Sequence, residues 1–280
     1  MKRIAIDMGG TNLRAALVTE AGIRHKVQAP CPAQGTEDEV LEALCSLVAP
    51  LAEEAGDGLE GIGAGIPSVI DRELGLVYDV ANIPSWRCVA LGKTLGERFG
   101  CRVVLDNDSN CFTLGEAHYG AGQDYRNFVG VTLGTGLGAG VVIDGRMCRG
   151  EDDGVGEIGC IPYLDSDVEH YCSSHYFAEQ HHTTAGELSA LARQGDAAAL
   201  EAWNDFGRHI GQMVKIAMLA YAPEAVIMGG GIAQSLDLFE EAMYKEIATF
   251  PYRMAAKRIR VWPSRLDDAA LLGAASLLEE

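Results

Sequence analysis

The sequence predicts an α/β protein built from two related halves, and three observations carry this. The apolar run from Lys2 to Asp7, the tip Gly9-Gly10-Thr11 and a second apolar run from Leu13 to Val18 read as a glycine-tipped hairpin. The same arrangement returns at Phe128 to Leu133, Gly134 to Gly138 and Ala139 to Ile143, ahead of Asp144-Gly145. Around both hairpins, helical stretches alternate with short apolar runs, the order of an α/β chain.

After the first hairpin, Glu37 to Ala55 places apolar residues at 40, 41, 44, 47, 48 and 51 among acids, the 3.6-residue period of an amphipathic helix. Gly61 to Ile66 is a buried strand that ends at Pro67. Val89 to Phe99 reads as a helix, Cys101 to Leu105 as a strand and Ser109 to His118 as the helix behind it. After the second hairpin come helices at Thr184 to Arg193 and Ala197 to Tyr221, a strand at Ala225 to Met228 and the run Gly229-Gly230-Gly231. Helices at Leu236 to Thr249 and Asp268 to Leu278 close the chain. Two halves with matching hairpins suggest an internal duplication around a cleft. The boundary falls near Gly115 to Gly122, giving domains of 1–115 and 116–265 with residues 266–280 returning to the first.

Composition narrows the function. With 280 residues the chain has the length of about two domains. Its net charge of −18 repels nucleic-acid backbones and anionic membranes, so an anionic ligand must be held by local dipoles or a metal. The eight cysteines form no CxxC pair and read as reduced thiols of a cytoplasmic protein. Asp7 interrupts the first apolar segment too early for a signal peptide, and Ile216 to Ala222 is far short of the ~20 residues a membrane span needs.

Three glycine segments carry the candidate chemistry. In Asp7-Met8-Gly9-Gly10-Thr11-Asn12 the glycines let the backbone approach a phosphate, Thr11 and turn N–H groups can donate to its oxygens, and Asp7 can hold a metal through water. Gly134-Thr135-Gly136 repeats the chemistry on the second hairpin, and Gly229-Gly230-Gly231 opens a loop that admits a flat ligand. Each taken alone also reads as an ordinary turn. Asp108 lies where a strand's carboxyl end meets the next helix. A carboxylate there can accept a proton as general base, or serve merely as an N-cap.

These segments, in this order, resemble the sugar-kinase, actin and Hsp70 superfamily, and further motifs point to the ROK family of sugar kinases and sugar-responsive repressors. The motifs are Gly65-Ile66-Pro67, Asn82-Ile83-Pro84-Ser85-Trp86, Asn107-Asp108-Ser109-Asn110, Gly156-Glu157-Ile158-Gly159, Pro223 to Gly231 and Asp268 to Gly273. The resemblance implies two ribonuclease-H-like (actin-like ATPase) domains around a central cleft. It implies ATP and Mg²⁺ at the glycine segments, Asp108 as base, and a hexose contacted by Gly65, Asn82, Asn107 and Glu157, with Glu179 as a second carboxylate. Glucose phosphorylated at its 6-hydroxyl leads among the substrates; allose, fructose, mannose and N-acetylated hexosamines stay open. A sugar-sensing regulator and an ATPase that closes on a protein partner are the rivals. Dimers are common among relatives, so a second copy is an implied partner.

One region departs from the family. Many members bind a structural zinc through a histidine just after Gly-Glu-Ile-Gly and three cysteines of a Cys-x-Cys-Gly-x-x-Gly-Cys run. Here Cys160 holds the histidine position and, with Glu179 as anchor, the cysteine positions become His170, Cys172 and Phe177. A rearranged Cys160, His170, Cys172, His175 set has ligand types that zinc accepts. The other reading is a polar loop of surface histidines.

Overall fold

The computed structural model describes residues 2–9, 11–150 and 154–279. The chain divides into two compact units: Met1–Gly120, Arg149–Val155 and Leu266–Glu280 make the first, Ala121–Cys148 and Gly156–Arg265 the second.

In the first unit, β1 (Lys2–Met8), β2 (Asn12–Thr19), β3 (Gly22–Pro30), β4 (Gly61–Ile66) and β8 (Arg102–Asn107) form one sheet in the order β3-β2-β1-β4-β8. Antiparallel pairing joins β1 to β2 and β2 to β3; β4 runs parallel to both β1 and β8. A small second sheet holds β5 (Val69–Asp71), β6 (Leu76–Tyr78) and β7 (Cys88–Val89). Helix α1 (Glu37–Ala55) starts in a capping box, with the Thr36 hydroxyl accepting from the Glu39 N–H and the Glu39 carboxylate accepting in return. Its Val40, Leu44, Val48 and Leu51 bury against Ile4, Ile6, Leu13 and Leu17 of the sheet. Helix α2 (Leu91–Phe99) begins later than its sequence pattern indicates, because Cys88 and Val89 pair with β6.

Helix α3 (Asp108–Tyr119) follows β8 without a loop. It packs on a helix formed by Ala269–Ser276, and side chains are missing where the backbones meet. A Cβ at Gly273 would overlap the Cys111 carbonyl, one at Gly115 the Ala269 carbonyl, and one at Gly63 the Ala274 carbonyl. Residues near 270 therefore complete a unit whose sheet begins at residue 2.

The second unit repeats the topology. Here β9 (Phe128–Leu133), β10 (Leu137–Ile143), β11 (Arg146–Cys148), β14 (Ala225–Gly229) and β15 (Arg260–Pro263) run in the order β11-β10-β9-β14-β15. Antiparallel pairs again come first, and β14 lies parallel to β9 and β15. Between the halves of this sheet come the short pair β12 (Pro162–Tyr163) and β13 (Ser166–Asp167), then α4 (Val168–Cys172), α5 (Ser174–His181), α6 (Ala185–Arg193) and α7 (Ala197–Tyr221). After β14 follow α8 (Leu236–Ile247) and α9 (Arg253–Arg258), and α10 is the Ala269–Ser276 helix already placed. Trp203, Phe206, Phe177 and Phe239 are buried in mutual ring contact at the centre of the helical layer. The histidine segment is therefore helical rather than a loop: Asp167 caps α4 and Ser173 caps α5. No described helix is long and apolar enough to cross a membrane.

Candidate active site

In the first unit, three parallel strands end side by side. Asp7 of β1 pairs across with Gly65 of β4, and Gly65 with Asp106 of β8. Asn107 and Asp108 come next, where strand becomes helix. Ligands of open α/β sheets gather at such carboxyl ends, because the following turns leave a crevice and helix N-termini point into it. Gly65 has a steric purpose: a Cβ there would stand 3.0 Å from the Cys111 sulfur and 3.3 Å from the Asp108 Cα. The N-cap of α3 is Asn107, whose Oδ1 accepts from the Ser109 N–H at 2.9 Å. Asp108 is thus not the cap but the first helical residue. Its Oδ1 accepts the same N–H at 2.8 Å, a favoured end of the helix dipole for an anion.

Asp7 is buried, and Arg14 of the adjoining strand donates to its Oδ2. Burial pushes its carboxyl up, against the opposing pull of Arg14. At the hairpin tip the Gly9 N–H donates to the Asn12 carbonyl at 2.9 Å, so it serves the turn, while Thr11 and Asn12 are exposed. Gly10 lies outside the described residues. Asn82 is exposed in the turn that precedes the buried Trp86; Ser85 Oγ and Trp86 Nε1, in that same turn, are buried with no hydrogen-bond partner among the described residues.

In the second unit, the glycine run and the hairpin come together. Gly229 pairs with Thr132 in the parallel β14–β9 ladder. Gly230 has φ +87°, and a Cβ on it would overlap the Leu133 carbonyl, so only glycine fits where the run meets the hairpin tip. The tip itself is tight: the Gly134 N–H donates to the Gly136 carbonyl at 3.0 Å, and the Ser174 Oγ donates to the exposed Thr135 carbonyl at 3.2 Å. Gly156, at φ +103°, presses the Gly-Glu-Ile-Gly segment against β10, where a Cβ would overlap the Ala139 carbonyl.

The family model of the ROK family matches residues 3–280. The chain belongs to the ROK family. It is 31% identical over 314 aligned residues to a glucokinase of Thermotoga maritima, covering 100% of this chain and 98% of that protein. A ROK family glucokinase from Streptomyces griseus, solved in complex with glucose and AMPPNP, superimposes with a TM-score of 0.85 at 26% identity over 99% of each chain. The ROK hexokinase of Thermus thermophilus gives 0.80 at 28% identity over 99% of this chain and 97% of its own. Similarity of this extent makes the chain a sugar kinase with the actin-like α/β fold of the family.

The carboxylates of this ROK protein correct the sequence reading. Glu179 sits on α5 between His170 Nε2 at 3.5 Å and His175 Nδ1 at 3.6 Å. The second carboxylate near Glu157 is Glu169, which sequence reasoning missed. Its Oε2 accepts from the Leu137 N–H at 2.7 Å, and its Cβ stands 3.5 Å from where a Cβ on Gly159 would be. Glu157 and Glu169 both bear on the Cys160 thiol, which burial first and then these charges push up. With Glu169 as the anchor, residues 161–168 contain no cysteine.

Nor do the residues fit the zinc of many ROK proteins. Among the described residues no group of three or more His, Cys, Asp or Glu side chains converges to hold a metal. Cys172 is fully buried and burial pushes its thiol far up, Cys160 turns to Glu157 at 3.8 Å, and the His170 and His175 rings stack with centroids 6.4 Å apart. An aromatic network occupies this region instead. The Tyr163 hydroxyl and His209 Nδ1 share a hydrogen bond of 3.0 Å, and the Tyr176 hydroxyl donates to Asp205 at 3.2 Å. Burial raises the Tyr163 phenol to about 12 and lowers the His209 imidazole, keeping both neutral near pH 7. Untagged protein should carry no stoichiometric zinc, and EDTA should leave its melting temperature unchanged. A structural zinc contributes folding free energy outright, so a chelator-induced drop in Tm would contradict this.

Proposed function

We propose that the protein transfers the terminal phosphoryl group of ATP to the 6-hydroxyl of a hexose, glucose before others, with Asp108 as general base. The observation that supports this most is the alignment of Asp7, Gly65 and Asp106 at the ends of three parallel strands, with Asn107 and Asp108 at the step beyond. A sugar hydroxyl is a weak nucleophile, and a carboxylate within hydrogen-bond reach takes its proton as the bond to phosphorus forms. Asn107 keeps Asp108 at the helix start. In the first unit Asn82, Asn107 and the backbone at Gly65 are the groups that bind sugar hydroxyls; in the second, Glu157 and Glu169 are carboxylates able to accept from such hydroxyls.

The glycine segments 9–12, 134–136 and 229–231 hold the nucleotide, with backbone N–H groups substituting for the positive field that a chain of net charge −18 lacks. Asp7, with one oxygen given to Arg14, suits a Mg²⁺ carried on the nucleotide and reached through water, as Mg²⁺ sites with one carboxylate commonly are. That ion would spread the charge of the transferring group. Cys160, where many relatives place a histidine, adjoins both Glu157 and Glu169 and bears on which hexose fits.

A panel of hexoses with ATP and Mg²⁺, read as ADP release, tests the whole reading. Glucose should give the highest kcat/KM, with release absent when sugar is omitted. Sugar binding without turnover would make the protein a sensor, and ADP release indifferent to sugar would make it an ATPase.

A further inference from the structure

Asp106 carries no role in the reaction just described, yet it is fully buried at the end of β8 and hydrogen-bonded on both oxygens. Its Oδ1 accepts from the Asn107 N–H and from Asn110 Nδ2, each at 2.8 Å. Its Oδ2 accepts from Arg72 Nη1 at 2.9 Å and Arg149 Nε at 2.7 Å. Arg72 stands between β5 and β6; Arg149 follows β11 in sequence but belongs to the first unit. Both guanidinium groups are largely covered, at 24% and 17% side-chain exposure. Charges so placed are screened weakly by solvent and act on their neighbours over several ångströms.

Those neighbours include the proposed base. Asp106 precedes Asp108 by two residues and holds the Asn107 backbone between them. Asp7 of β1, paired with Arg14 of β2, ends the strand two places across the sheet, and Asp268 lies 3.9 Å from Arg14. Cys111 on α3 registers the shared field: after burial, Asp106, Asp7 and Asp108 all push its thiol up, and Arg72 opposes them.

We propose that Asp106, Arg72 and Arg149 form a positioning cluster that fixes the Asn107–Asp108 junction and sets the local charge against which Asp108 accepts the sugar proton. This rests on Asp108 being the general base. A purely structural ion cluster would affect folding and turnover. A charge-setting cluster also moves the acid limb of the kcat/KM profile, and moves it in opposite directions when opposite charges are removed.

The test is kcat/KM for hexose-dependent ADP release as a function of pH, with thermal unfolding of each variant to correct for folded fraction. Asp106→Asn removes a negative charge beside the base and should shift the acid limb down; Arg149→Met removes a positive one and should shift it up, each by roughly half to one pH unit. Arg149→Lys keeps the charge and should return the limb to the parental position. If Asp106→Asn does not fold, the Arg149→Met and Arg149→Lys pair decides. A limb that stays put in Arg149→Met, or moves the same way in Asp106→Asn and Arg149→Met, overturns the cluster's role. The underlying reading fails separately, if Asp108→Asn turns over within tenfold of the parent.

Discussion

Replacing Asp108 by alanine should lower kcat by about 10²- to 10⁴-fold, the usual contribution of a positioned general base, while the protein stays folded. The fold should survive because the capping of α3 rests on Asn107, whose Oδ1 accepts the Ser109 N–H whether or not the Asp108 carboxylate is present. The glycine segments proposed to hold the nucleotide and the asparagines proposed to bind the sugar are also untouched, so KM for ATP should change little beside kcat. Steady-state ADP release with a melting curve for the same preparation checks both halves of the expectation. Turnover near that of the parent removes Asp108 from the reaction; a collapsed melting transition instead assigns it to the helix.

Replacing Gly273 by alanine should destabilise the protein by roughly 3 kcal/mol, the upper part of the overpacking range. Intrinsic propensity points the other way, since alanine in a helix interior is better than glycine by about 1 kcal/mol. The two effects differ in sign, and geometry decides between them. The added methyl would overlap the Cys111 carbonyl of α3, which is backbone and has no rotamer to yield. Gly63 and Gly115 seat the same helix by the same means, so α10 cannot slide away from one contact without meeting another. Exposed Gly186, on α6, is the control: the nearest atom to an added Cβ is 4.0 Å away, and alanine there should be neutral or stabilising by up to about 1 kcal/mol. Urea unfolding of both variants reads the contrast, and equal midpoints would refute the packing argument.

The hairpins, α1, α3, α7 and the strands at 61–66 and 225–229 were legible because each carries a buried apolar pattern with a glycine or a cap at its end. Strand β3 was not, since five of its nine residues are exposed and none is fully buried. Strands β11 and β15 are short, with partners supplied only by the sheet. Asp108 and the glycine tips were legible as motifs. Glu169 was not, because its carboxylate is brought to Leu137 by the turn of β12 and β13, a tertiary relation that no spacing encodes. Asp106 and Arg149 lie 43 residues apart, and no spacing or motif links them.

The seating of α10 on Gly63 and Gly115 also orders events during synthesis. A ribosome extends the chain at roughly 5–20 residues per second, so the glycine pocket of the first sheet waits some tens of seconds for the helix that fills it. The second unit, nearly continuous in sequence from 121 to 265, has all its strands within that interval. It can fold as a finished body while the earlier-made sheet still exposes a seam to solvent. Truncation before residue 269 should therefore leave an opened first unit beside an intact second one, a species with exposed apolar backbone and a natural client for chaperones.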